Sequence, residues 1–115
     1  MLAELARLGL RAVYDPSIFD KERFVAGSVQ TRVDAIHKAW ADPGVAALIA
    51  MRGGYGSAQL LPLLDCNLLR SSCKPLIGYS DITALLSLYL RNGLTAIHGP
   101  MVDRRLSKGP DGYDE

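Results

Sequence analysis

The chain has 115 residues, enough for one domain with a real core but not for two. Hydrophobic residues make up 49%, charged residues 22%, and the formal net charge is +1, so composition gives no electrostatic reason to expect nucleic acid or an anionic membrane as partner. No apolar run approaches the roughly 18 to 20 residues of a membrane span, and the opening "MLAELARLGLRAVYD" mixes charges into its apolar residues, unlike a secretory signal. Cys66 and Cys73 are too few for a disulfide scaffold and lack the partners of a zinc site; they read as buried or half-buried thiols in a reducing compartment.

Taken in chain order, residues 2–8 read as the end of a helix stopped by Gly9, and residues 10–14 as a short strand. Residues 15–27 are polar and irregular, with Asp15-Pro16-Ser17 as a turn signal. Ser28 is placed to cap a helix whose apolar stripe is Val29, Val33, Ile36 and Trp40, and Asp42-Pro43-Gly44 ends it. His37 falls between Ile36 and Trp40, on or beside the solvent face, and is given no role. Residues 45–51, "VAALIAM", form a continuous apolar run, the pattern of a strand covered on both faces in a parallel sheet. "RGGYGS" follows, then a short helix in "AQLLPLLD". Residues 75–79 are the next buried strand, 81–91 the next helix, and Asn92-Gly93 its stop. Residues 94–97 make a last strand before His98-Gly99-Pro100, and the tail from residue 103 is polar and turn-rich. Alternating strands and helices imply an α/β layer with right-handed crossovers and a four-stranded, mainly parallel sheet.

In such a sheet the loops after the strands lie at one edge, where ligands bind. Three unusual constellations fall there. Arg52-Gly53-Gly54-Tyr55-Gly56 puts three glycines ahead of a helix, which suits an anion or oxyanion but equally a tight turn; its spacing fits no phosphate-binding fingerprint. Gly78-Tyr79-Ser80-Asp81 joins strand to helix with almost no loop. Ser80 there is either a helix N-cap bonded to Ile82 or Thr83, or a nucleophile on a strained elbow, with the Asp81 N–H aimed at whatever it attacks. Asp81 itself sits in the first turn of the next helix, where a carboxylate favours the dipole. His98, at a neighbouring strand end, is either a structural hydrogen-bonding residue or a group that lies near Ser80.

Together, "MRGGYG…LLPLLD", "KPLIGYSDITALL" and "GLTAIHGPM" resemble the N-terminal domain of the LD-carboxypeptidases, the family of muramoyltetrapeptide carboxypeptidase and the microcin-immunity serine peptidases. The resemblance runs in register from about Ala26 to Met101. It implies a flavodoxin-like three-layer α/β domain, with Ser80 as nucleophile and the backbone N–H groups of Gly54 and Asp81 as the oxyanion hole. Arg52, Gly53, Tyr55 and His98 then fall in the substrate site. It also implies a cytoplasmic enzyme with no cofactor or metal, which cleaves a terminal D-alanine from a murein peptide and often dimerises. A separate C-terminal domain supplies the glutamate and histidine of the family's triad. Here residues 1–102 correspond to the nucleophile domain, without the family's opening strand, and 103–115 to a polar tail. The C-terminal domain has no counterpart, so the expectation is a piece truncated at both ends, inactive alone and self-associating through exposed apolar surface. The alternative from another class is a non-catalytic module that holds a small anion or peptide carboxylate at its glycine loop.

Overall fold

A computed structural model describes residues 2–102; the polar tail falls outside them. Helix α1 (Leu2–Arg7) places Leu5 inward, carries the Glu4–Arg7 ion pair at 2.8 Å, and gives way to Gly9 at φ +74°. Residues 10–14, read from sequence as a strand, belong to none. A strand exists only where a neighbour takes its N–H and C=O groups. Among the described residues no strand ladder includes this stretch, the Leu10 N–H turns back to Leu5 O at 2.8 Å, and Leu10, Val13 and Tyr14 stand exposed. The irregular segment then holds a 3-10 turn at Pro16–Phe19, where the Asp15 carboxylate accepts the Ser17 N–H at 3.0 Å.

Helix α2 (Val29–Ala41) starts as its sequence indicates, with Ser28 Oγ accepting the Thr31 N–H at 3.0 Å. It buries Val33 and Trp40. The strands β1 (Leu48–Ile49), β2 (Leu76–Gly78) and β3 (Ala96–His98) are all parallel and lie in the order β1-β2-β3. The sheet therefore has three strands among the described residues, not four, and each is shorter than its apolar run. At β1 the reason is local: the Val45 N–H is taken by Asp42 O at 3.1 Å, so the chain is still turning out of α2. Helix α3 (Cys66–Ser72) escaped the sequence reading; Asp65 caps it by accepting the N–H groups of Asn67 and Leu68 at 2.8 and 3.2 Å. Between β1 and α3 the segment Ser57–Leu63, with Pro62 inside it, is a 3-10 helix. Helix α4 (Thr83–Arg91) follows β2 through one 3-10 turn, Ser80–Ile82.

The pleat sorts the side chains into layers. Leu48, Leu76 and Ala96 are in register and face the main core of Val33, Trp40, Leu60, Leu69, Leu86 and Tyr89, under α2, α3 and α4. Ile49, one residue on, faces the opposite way and packs with Leu5 of α1 and Val102. Helices on both faces of a parallel sheet give the three-layer α/β arrangement expected from sequence.

Two buried polar ties hold this core, neither evident from sequence. Lys74 is 8% exposed, and its ammonium donates to the carbonyls of Ala39 at 2.7 Å, Trp40 at 2.8 Å, and Asp42. Its three protons thus meet three acceptors at the carbonyl end of α2, where a cation also suits the helix dipole. Trp40 Nε1 donates to Tyr89 Oη at 2.6 Å in the core, and burial pushes the Tyr89 phenol up to about 12. His37 accepts the Asp65 N–H at 3.0 Å and leans on Trp40, so it links α2 to the start of α3 and is not idle on the surface. Cys66 is half-buried, but Cys73 is exposed, contrary to the expectation of two sheltered thiols.

Replacing Lys74 by Met should leave carbonyls in a poorly hydrated place without donors and cost about 2–4 kcal/mol. The shift of the urea unfolding midpoint measures it, and a change within error would show that water replaces the ammonium. The Tyr89 phenol titrates higher in the folded chain than in the unfolded one, from 10.0 to about 12. Its stabilising effect is therefore complete below pH ~10 and lost as pH rises toward 12. Thermal midpoints across that window should fall more steeply for the parent than for Tyr89→Phe.

Candidate active site

Parallel pairing brings the three motif loops to one edge. Gly78 is in register with His98, and the Ala50 N–H donates to Ile77 O at 2.9 Å, so Arg52–Gly56, Tyr79–Ser80 and Gly99 all leave the sheet side by side. The closeness is greatest at two glycines. A Cβ at Gly78 would lie 2.8 Å from Ile82 Cγ2 and 3.1 Å from Ala50 Cβ. The end of β2 can turn into the next helix this sharply only because that side chain is missing. A Cβ at Gly53 would lie 3.1 Å from Ser80 Cβ and 3.2 Å from Ser80 Oγ. The glycine loop thus reaches the serine directly.

Ser80 has φ +60°, in the left-handed region that L-residues rarely occupy. It is exposed. The preceding residue, Tyr79, is extended and occupies the N-cap position without a side-chain cap. An N-cap serine would be in the β region with its hydroxyl on a nearby N–H. Ser80 has neither feature, so the capping alternative gives way to the strained elbow. Asp81 also differs from expectation. Its carboxylate turns away from its own helix and accepts the Ser57 N–H at 2.9 Å, tying the elbow to the 3-10 helix that follows the glycine loop.

The loop itself turns at Gly54 and Gly56, with φ of +141° and +106°. The N–H groups of Gly53, Gly54, Tyr55 and Gly56 donate to no described residue. Arg32 of α2 holds the loop from the other side, Nη1 donating to Gly56 O at 3.1 Å and Nη2 to Gln59 at 3.2 Å. Sequence reading missed Arg32, because its partner is 24 residues away. Arg52 is exposed and donates through Nε to Gly53 O at 3.2 Å; it has no carboxylate partner among the described residues. Tyr55 is 69% exposed beside it. His98 lies with its ring centroid 6.0 Å from that of Tyr79 and makes no hydrogen bond to Ser80.

An exposed hydroxyl on a strained turn, free N–H groups alongside and a guanidinium at the rim are parts that acyl transfer uses. No imidazole or carboxylate among the described residues is hydrogen-bonded to that hydroxyl. No three His, Cys, Asp or Glu side chains gather to hold a metal among these residues, and no helix is long and apolar enough to cross a membrane.

Residues 1–99 match the family described as the LD-carboxypeptidase N-terminal domain. The murein tetrapeptide carboxypeptidase of Pseudomonas aeruginosa is 50% identical over 80 residues, covering 69% of this chain and 26% of the relative. The crystal structure of muramoyltetrapeptide carboxypeptidase from Oxalobacter formigenes superposes with a TM-score of 0.81 at 31% identity, over 94% of this chain and 36% of that one. An MccF-like protein from Bacillus anthracis gives 0.82 at 37% identity, over 88% and 31%. The chain thus spans about a quarter to a third of the length of these relatives.

If Ser80 stores backbone strain, Ser80→Gly should stabilise the fold by about 0.5–1 kcal/mol although it deletes the side chain. Urea unfolding decides it: a midpoint lowered by the full entropy cost of glycine, about 0.5–1 kcal/mol, would mean that the angle costs nothing.

Proposed function

This chain belongs to the LD-carboxypeptidase N-terminal domain family, and from that premise we propose that it is the nucleophile-bearing part of a serine carboxypeptidase that removes the terminal D-alanine from a murein tetrapeptide. The observation that carries this reading is the pairing of Ser80 at φ +60° with Gly53, whose absent side chain would sit 3.1 Å from Ser80 Cβ.

In this reading Ser80 Oγ attacks the carbonyl of the peptide bond before the terminal residue. The new C–O bond turns the carbonyl oxygen into an oxyanion, which the N–H groups of Gly54 and Asp81 receive. Donors fixed beforehand need no reorganisation when charge develops, which makes them effective. Arg52 meets the terminal carboxylate of the substrate, and Tyr55 and His98 flank the peptide. The intermediate then collapses. The C–N bond breaks, D-alanine leaves with a proton on its amine, and water later cleaves the acyl-serine ester. Both steps need a base that takes a proton and returns it. His98 is turned to Tyr79 and gives no support for that role. We assign the base and its orienter to the histidine and glutamate of a C-terminal domain, as the family resemblance implies. The same reading carries a cytoplasmic location, and self-association through exposed apolar side chains such as Val13, Phe19 and Ile97.

The test is D-alanine release from murein tetrapeptide by the purified chain, with Ser80→Ala as control. The chain alone should release almost none. Adding a separately made C-terminal domain from a relative should restore release that depends on Ser80. Robust release by the chain alone would move the base into these residues, with His98 first in line. No release with the added domain, and none that depends on Ser80, would favour a binding module.

A further inference from the structure

The 3-10 helix after the glycine loop begins at Ser57, and its N-cap position is Gly56, which has no side chain to receive the first N–H. Ser57 is 6% exposed, so water is a poor substitute. The acceptor comes from Asp81, 24 residues on, at 2.9 Å. On the other side Arg32 donates to Gly56 O at 3.1 Å. The loop is therefore held at its far end by two charged groups from different elements. Between them and Met51 the N–H groups of Gly53, Gly54 and Tyr55 point to no described partner.

We infer that the Asp81 carboxylate is a positioning residue: it caps the 3-10 helix from a distance and so fixes the glycine loop against Ser80. The physical reasoning has two steps. A buried N–H without an acceptor is costly, and a charged acceptor makes a stronger bond than a neutral one. Without Asp81, then, the Ser57 N–H must seek water, and the 3-10 helix start must open to reach it. The loop leaves the sheet just after Ala50, whose N–H donates to Ile77 O, and its far end is tied to α2 through the bonds of Arg32 to Gly56 and Gln59. Opening at Ser57 therefore displaces Gly53, which lies so near Ser80 that an added Cβ would stand 3.1 Å from Ser80 Cβ. Asp81 thus contributes twice in adjacent atoms. Its N–H belongs to the elbow, and its carboxylate sets the distance from the elbow to the opposite donor. Its consequence for catalysis rests on the proposed hydrolase reading; the clamp does not.

The test separates the two. In the full chain, Asp81→Ala should speed amide exchange at Ser57 by roughly ten- to hundredfold, leave Leu86 in the core within threefold, and erase the NOE between Gly53 Hα and Ser80 Hβ. Asp81→Asn keeps an oxygen acceptor and should hold both signals near the parent values. Unchanged Ser57 exchange in Asp81→Ala, or retention of the NOE despite faster exchange, would overturn the inference. So would a failure of Asp81→Asn to rescue while the core stays protected. If the alanine variant unfolds, the parent carries the test: Ser57 should exchange far more slowly than Gly54 and Tyr55, and equal rates would overturn the inference. Fluorophosphonate labelling of Ser80 in the parent, with the C-terminal domain added, reports on the hydrolase reading independently. Where labelling occurs, Asp81→Ala should slow it about tenfold or more, and Asp81→Asn far less.

Discussion

The architecture of the site depends on one absent side chain. At Gly78 the last residue of β2 meets Ile82 of the following turn and Ala50 just past β1, and a Cβ there would overlap the isoleucine. Removing it allows the chain to reverse from strand to helix in a single step. That step puts Ser80 above the sheet edge and not beside it. The turn runs through extended Tyr79, and the left-handed angle falls on Ser80, where L-residues are strained. The same economy recurs at Gly53. Two glycines, one at the end of β2 and one on the adjacent loop, thus set how near the serine and the N–H groups stand, before any side chain chemistry enters.

Steric permission alone does not fix a loop. Permissive glycines leave the segment with many conformations, and each must be excluded by an interaction elsewhere. Arg32 and Asp81 supply that exclusion from opposite sides of the loop, and Lys74 does the same for the helix that carries Arg32. Lys74 stands at the entry to β2, and its ammonium closes the carbonyl end of α2. The strand that leads to Ser80 and the helix that leads to Arg32 are therefore locked to each other. The Trp40–Tyr89 bond adds a second lock between α2 and α4 deeper in the core.

Much of the scaffold was legible in the residues. The stripe on α2, its Ser28 cap and the continuous apolar runs of the strands are local patterns, and local patterns are what periodicity reports. The convergence of the three motif loops followed from parallel topology, and the loops do meet. What failed was mostly non-local. Residues 10–14 have the composition of a strand, but composition cannot say whether a partner exists. Helix α3 hid behind Pro62 and a run of leucines whose stripe is too short to stand out, although Asp65 was an available cap signal. The polar ties from Lys74, Arg32, His37 and the Asp81 carboxylate join residues from 24 to 35 positions apart. No spacing rule reaches that far. Asp81 was misjudged for a specific reason: the first-turn rule for acidic residues is a weak local preference, and an unsatisfied N–H in a buried place outweighs it.

In the proposed reading the base of Ser80 comes from elsewhere, which imposes a particular demand on the part that carries the serine. In a compact triad the imidazole helps to orient the hydroxyl, and loss of one contact is partly shared by the others. Here no described side chain is hydrogen-bonded to Ser80, so its orientation is set by backbone alone. Strain at φ +60° serves that purpose, because a residue held in a narrow well has few other places to go. The donors need the same treatment, since an N–H that moves by an ångström no longer meets the developing charge. This explains why the ties converge on the loop and the elbow and not on the serine hydroxyl. Rigidity built into the backbone leaves the Ser80 hydroxyl free to donate its proton to a base, as the proposed function requires.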